Sequence, residues 1–105
     1  MGEVGVKERV EAAKKALGYG AKVWEWDGYV EVWQSLYWCT EECGGVGCRK
    51  EVSVHVSRRN GAIKVYVNGF DRESLNKLTL KHDDPCLNCH LNTLEWVHSQ
   101  INQNL

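Results

Sequence analysis

The chain has 105 residues, of which 43% are hydrophobic, with five Trp, a single Pro and a formal net charge of -1. That is enough apolar material for one core and too little length for two domains, so residues 1–105 are read as a single unit that is neither disordered nor fibrous. No apolar run reaches the roughly 18–20 residues of a membrane span, and the charged start MGEVGVKERVEAAKK is unlike a signal peptide; the expectation is an intracellular protein with no membrane partner.

Taken in chain order, Val6, Val10, Ala13 and Leu17 recur at helical spacing with Lys and Glu between them, and Gly18 and Gly20 stand where such a run would end. An amphipathic N-terminal helix is expected there. Ala21 to Asp27 and Tyr29 to Trp38 are rich in aromatic and β-branched residues and meet at Asp27-Gly28, the signature of a tight hairpin. A two-residue loop would place Val23, Val30 and Val32 on one face of that hairpin and Trp24, Trp26, Tyr29 and Trp33 on the other. Glu51 to Ser57 alternates strictly, with Val52, Val54 and Val56 against Ser53 and His55. Asn60-Gly61 then predicts a second two-residue turn, which would pair Val56 with Val65 and Val54 with Val67.

Leu75, Leu78 and Leu80 fit either a helical turn or a short strand. The last element is better marked, because Asp84 can cap a helix and Pro85 suits its first position. From there Leu87, Leu91, Leu94, His98, Ile101 and Leu105 form a stripe that fits a core-facing face better than a dimer seam. The expected fold is therefore α+β: an N-terminal helix, two antiparallel β-hairpins making a four-stranded sheet, and a C-terminal helix.

Five cysteines fall in two clusters, Cys39-x3-Cys43-x4-Cys48 and Cys86-x2-Cys89. Two tight groups and an odd total suit a four-ligand zinc with one bystander better than a complete disulfide set, and a closed set of four thiolates is structural rather than catalytic. Cys86 and Cys89 would lie in the first turn of the last helix, where the positive end of the helix dipole favours the thiolate a metal requires. Gly44, Gly45 and Gly47 would let the other loop fold tightly. His82 and His90 stand close enough in sequence to replace one Cys.

The order of thiolate loop, hairpin and helix opening with Cys-x2-Cys resembles a treble-clef zinc finger from Cys39 to the C-terminus. That resemblance implies a structural site of four cysteines, with two of Cys39, Cys43 and Cys48 joining Cys86 and Cys89. Tyr37-Trp38-Cys39 with Cys48-Arg49-Lys50 is similar to the WRKY and FLYWCH zinc fingers, which implies DNA binding. Cys39-Thr40-Glu41 with Pro85-Cys86-Leu87-Asn88-Cys89 resembles the zinc-dependent nucleobase deaminases, which would make Glu41 a proton shuttle. Cys86-Leu87-Asn88-Cys89-His90 also fits the c-type haem attachment pattern.

Charge is uneven along the chain, with eight basic and three acidic residues between Arg49 and Lys81. Arg49, Lys50, Arg58, Arg59 and Lys64 are the candidate contacts to DNA or RNA, pictured as one stripe from the metal loop to the hairpin tip. The leading expectation is a zinc-binding module that takes nucleic acid with little sequence preference. The alternatives are a protein-interaction or homodimeric assembly module that covers the Trp-rich face, and a deaminase-like enzyme.

Overall fold

The computed structural model describes residues 5–37 and 49–105. Along them run α1 (Val6–Leu17), β1 (Lys22–Glu25), β2 (Tyr29–Tyr37), β3 (Arg49–Ser57), β4 (Ile63–Val67), α2 (Arg72–Lys81) and α3 (Pro85–Gln103). The four strands form one antiparallel sheet in the order β1-β2-β3-β4, so the fold is α+β.

Strict alternation in β2 to β4 decides how the layers stack. Val30, Val32, Val52, Val54, Val56, Val65 and Val67 are buried on one face of the sheet. All but Val30 join one cluster with Ala12, Ala13, Ala16 and Leu17 of α1, Leu75 of α2, and Leu94, Val97 and Ile101 of α3. The three helices therefore lie on the valine face, where burying these side chains against one another removes their apolar surface from water.

The first hairpin follows the sequence reading, with Val23 opposite Val32, Trp24 opposite Glu31 and Glu25 opposite Val30. The Trp26 N–H donates to the Tyr29 carbonyl at 2.9 Å across the two-residue loop Asp27-Gly28. In the second hairpin the register differs from the expectation: Val54 faces Val65, Val52 faces Val67 and Val56 faces Ile63. The cause is the turn. Ser57 N–H donates to the Ala62 carbonyl and Gly61 N–H to the Ser57 carbonyl, each at 2.9 Å, so the loop holds the four residues Arg58 to Gly61. Gly61 has φ +72°, a left-handed conformation that glycine adopts without strain, while the Asn60 side chain caps the turn by accepting from Ala62 N–H. Because the shift is two residues, every valine stays on its expected face.

The undecided segment after β4 is a helix. Asp71 accepts from Ser74 N–H at 2.8 Å and so satisfies one of the first-turn donors of α2. Leu75 is the one buried residue of that helix, while Leu80 is exposed. At α3 the expected cap is present, since Asp84 accepts from Cys86 N–H and Pro85 opens the helix. The buried side of α3 is Cys89, Thr93, Leu94, Val97 and Ile101, a stripe turned slightly away from the expected one, leaving His98 half-buried and Trp96 exposed.

A packing asymmetry within α2 follows. Leu75→Ala should cost about 2–5 kcal/mol, because a fully buried leucine leaves a cavity, and Leu80→Ala should stay within about 0.5 kcal/mol. Chemical denaturation of the two variants checks this.

Candidate functional site

The sheet's second face carries no described element. It presents Trp24 and Trp26 from the β1 edge, Tyr29, Glu31, Trp33, Ser35 and Tyr37 from β2, Ser53 and His55 from β3, and Lys64 and Tyr66 from β4. Among the described residues no helix covers these rings, because all three pack on the valine face. Trp24, Trp26 and Tyr37 are 45%, 51% and 74% exposed, so this is an aromatic surface in water rather than a second core.

The rings are organised. Trp24 and Trp33 lie 6.1 Å apart and tilted, Trp26 stacks near Tyr29 at 6.2 Å, and His55 is held between Tyr29 at 4.4 Å and Tyr66 at 4.6 Å. These separations are normal for attractive ring pairs. At the centre stands Glu31. Trp26 Nε1–H donates to its Oε1 at 3.0 Å and the Ser53 hydroxyl to its Oε2 at 2.6 Å. Ser53 gives its proton to Glu31, so its oxygen accepts from His55 Nε2–H at 3.1 Å. One carboxylate of β2 is thus tied both to Ser53 of β3 and to Trp26 at the β1–β2 turn, with only 17% of its side chain exposed.

Burial pushes the His55 imidazole below its ordinary value of 6.5, Glu31 opposes that shift, and Lys64 adds to it. Asp71 is held down to about 2, first by the backbone and side chain of Ser74 and then by Lys64.

The basic residues singled out by the sequence are not assembled into one stripe. Arg49 and Lys50 open β3 while Arg58 and Arg59 follow its end, roughly 30 Å away at about 3.3 Å per residue. Lys50 is fully buried on the valine face, opposite Leu36, so its ammonium is not offered to an outside phosphate. Arg49 pairs with Glu51 at 2.9 Å, Arg58 with Glu25 at 3.2 Å and Lys64 with Asp71 at 3.2 Å. Arg59 has no acidic partner among the described residues.

Of the candidate metal ligands, Cys39, Cys43 and Cys48 lie outside the described residues, as does Glu41. Cys86 is exposed and Cys89 buried in the first turn of α3. His90, which sequence proximity alone suggests, sits beside them with a definite proton arrangement. Asn68 Oδ1 accepts from Glu51 N–H at 2.8 Å, which directs the amide Nδ2 to donate to His90 Nε2 at 3.1 Å. The neutral ring therefore carries its proton on Nδ1, and that atom is buried without a hydrogen-bond partner among the described residues. Burial, and then the nearby Lys50 charge, keep His90 below its ordinary value against the opposing pull of Asp84. Among the described residues no three His, Cys, Asp or Glu side chains are grouped as a metal site. The contacts from His90 to Asn68 and onward to Glu51 bring the start of α3 to the end of the sheet where the chain leaves β2 at Tyr37 and re-enters at Arg49.

No family model matches this chain, and no curated protein or solved structure matches it either.

Both imidazoles are depressed, so they contribute stability that is present above 6.5 and is lost as pH falls through their lower folded values. The melting temperature should therefore drop on acidification below about pH 6.5, and a further loss should appear between about pH 4 and 2 as Asp71 is protonated. Glu31→Gln removes the influence that raises the His55 value, so its NMR titration should move further down. An upward move would contradict the assignment.

Proposed function

We propose that this chain is a small zinc-stabilised module that binds single-stranded nucleic acid, with little sequence preference, across the open face of its sheet. The observation that carries this reading is the ordered set of rings from Trp24 and Trp26 through Tyr29, Trp33 and His55 to Tyr66, over which no other described element packs. Every base has a π-face, so such a platform takes successive bases without reading their edges, at about 1–3 kcal/mol per stacked base. Lys64, 5.6 Å from the Tyr66 ring, and Arg49 at the other end of the face are the cations available to phosphates. Each must be shared with its acidic neighbour, so stacking supplies more of the affinity than charge does.

Zinc belongs to this reading as a structural staple held by Cys86, Cys89 and two of Cys39, Cys43 and Cys48, in the manner of a treble clef. Two described features favour it. The Cys-x2-Cys pair occupies a capped helix N-terminus, and the orphan Nδ1–H of His90, one helical turn beyond Cys86, lacks an acceptor that a metal-bound thiolate would supply. The Asn68 hydrogen bond places the His90 proton on the wrong nitrogen for direct ligation through Nδ1, so the four-thiolate set is preferred. In a domain this small, metal affinity would be largely folding free energy.

A second reading has its own observation. The central charge of the open face is the carboxylate of Glu31, and Arg49, Arg58 and Lys64 are neutralised locally, which suits a protein surface or a second copy of the chain better than a polyanion.

Two measurements test these statements. Fluorescence anisotropy with labelled oligothymidylate should show micromolar or tighter binding that weakens about tenfold in Trp24→Ala or Trp33→Ala. The slope of log K against log salt should be roughly -1.4 for the two phosphate contacts that Arg49 and Lys64 can make on a single strand. A dimer by sedimentation with no oligonucleotide binding would replace this reading by the second. Elemental analysis should find one zinc per chain, lost in Cys86→Ser and in Cys89→Ser with a lower melting temperature. One substitution among Cys39, Cys43 and Cys48 should be tolerated. A metal-free purified protein indifferent to chelators would remove the zinc.

A further inference from the structure

At the end of the sheet opposite the cysteines of α3, three arginines from two parts of the chain line one cleft. They are Arg9 of α1 and Arg58 and Arg59 of the β3–β4 loop, and the cleft, of about 390 Å³, has Gly5, Val6, Asn60 and Gly61 as its remaining walls. The arrangement is built rather than accidental. Arg58 N–H donates to the Gly28 carbonyl at 3.1 Å and its Nε–H to the Trp26 carbonyl at 2.8 Å, so the second hairpin tip is clamped to the first. Arg9 lies over the backbone of Gly61, so close that a Cβ there would collide with its Nη1.

The charge balance is what singles this cleft out. Arg58 is answered by Glu25 at 3.2 Å, and Glu8 lies near the rim, beside Gly5. Arg9 and Arg59 have no acidic partner among the described residues. Holding like charges around a partly enclosed space costs energy that a bound anion offsets. The start of α1, whose N-cap Gly5 supplies no side-chain acceptor, forms one wall of the cleft, and its first-turn amides share their preference for negative charge with the Glu8 carboxylate beside Gly5. Arginine forks match tetrahedral oxyanions in geometry, and a dianion gains more from them than a monoanion does.

We propose that this cleft is a phosphate-binding site for a dianionic phosphate monoester, gripped by Arg9 and Arg59 and bordered by Arg58. The site is independent of the stacking face: it lies on the loop at the tip of the sheet and uses none of the rings. The chemistry is shared by a free phosphate compound and by the 5′-terminal phosphate of a nucleic-acid strand, and the two are separable.

Inorganic phosphate titrated at constant ionic strength and pH 7.5 should give saturable NMR shifts at the amides of Val6, Arg59 and Gly61. The double variant Arg9→Gln, Arg59→Gln should bind about tenfold more weakly or worse. Neither side chain forms a salt bridge among the described residues, so the melting temperature should hold, and Arg59→Gln alone keeps the test valid if Arg9 contributes to packing. Shifts that never saturate, or equal affinity in the variant, would overturn the proposal. Paired oligothymidylates with a 5′-phosphate and a 5′-hydroxyl then identify the source. Preference for the phosphorylated strand, lost in the double variant, assigns the site to strand ends; equal binding of the two strands, with inorganic phosphate still bound, assigns it to a free phosphate compound. Phosphate binding without any oligonucleotide binding would leave this site standing and the stacking face refuted.

Discussion

The burial of one valine-lined face of the sheet is the constraint on which everything else rests. Val32, Val52, Val54, Val56 and Val67 are all at or near zero exposure, and they are reached by α1, α2 and α3 from the same side. A sheet has two faces, and all three described helices are spent on one of them. Once the valines take the helices, the alternate positions of the same strands are left without helical cover among the described residues. The ring-bearing face is thus a geometric consequence of the core, and its residues were available for selection on binding rather than on packing.

That division explains what the amino-acid sequence discloses and what it conceals. The period-two alternation of Val52, Val54 and Val56 and the capping pair Asp84-Pro85 are local signals, and local signals survive into the fold. The sorting of Trp24, Trp26, Tyr29 and Trp33 onto one face is equally legible. The loop after Ser57 is not, because Asn60-Gly61 is compatible with several turns and the choice depends on contacts far away in sequence: Arg58 binding to Gly28 and Arg9 lying on Gly61. Helix α2 is hidden for a similar reason, since a single buried leucine leaves almost no periodic pattern to read.

The basic residues show the limit more sharply. Sequence proximity groups Arg49 with Lys50 and Arg58 with Arg59, but strand alternation sends Lys50 into the core, and the length of β3 separates the two pairs. Arg9 belongs to the first helix, far from Arg58 in sequence, and carries no signal of its own, yet the two share a cleft. Charge clusters in sequence and in space are different objects, and only the second can grip a ligand. Likewise, Glu31 reads as an ordinary strand carboxylate, whereas its hydrogen bonds to Trp26 and Ser53 make it the keystone of the open face.

The four-residue turn of the second hairpin sets a rule for how this protein can vary. The strands hold Val52, Val54 and Val56 opposite Val67, Val65 and Ile63, so residues added between Arg58 and Gly61 lengthen the loop and leave each valine on its own side. The arginines can therefore be repositioned without repacking the valine layer, and the contacts of the tip can diverge while the fold beneath them stays the same.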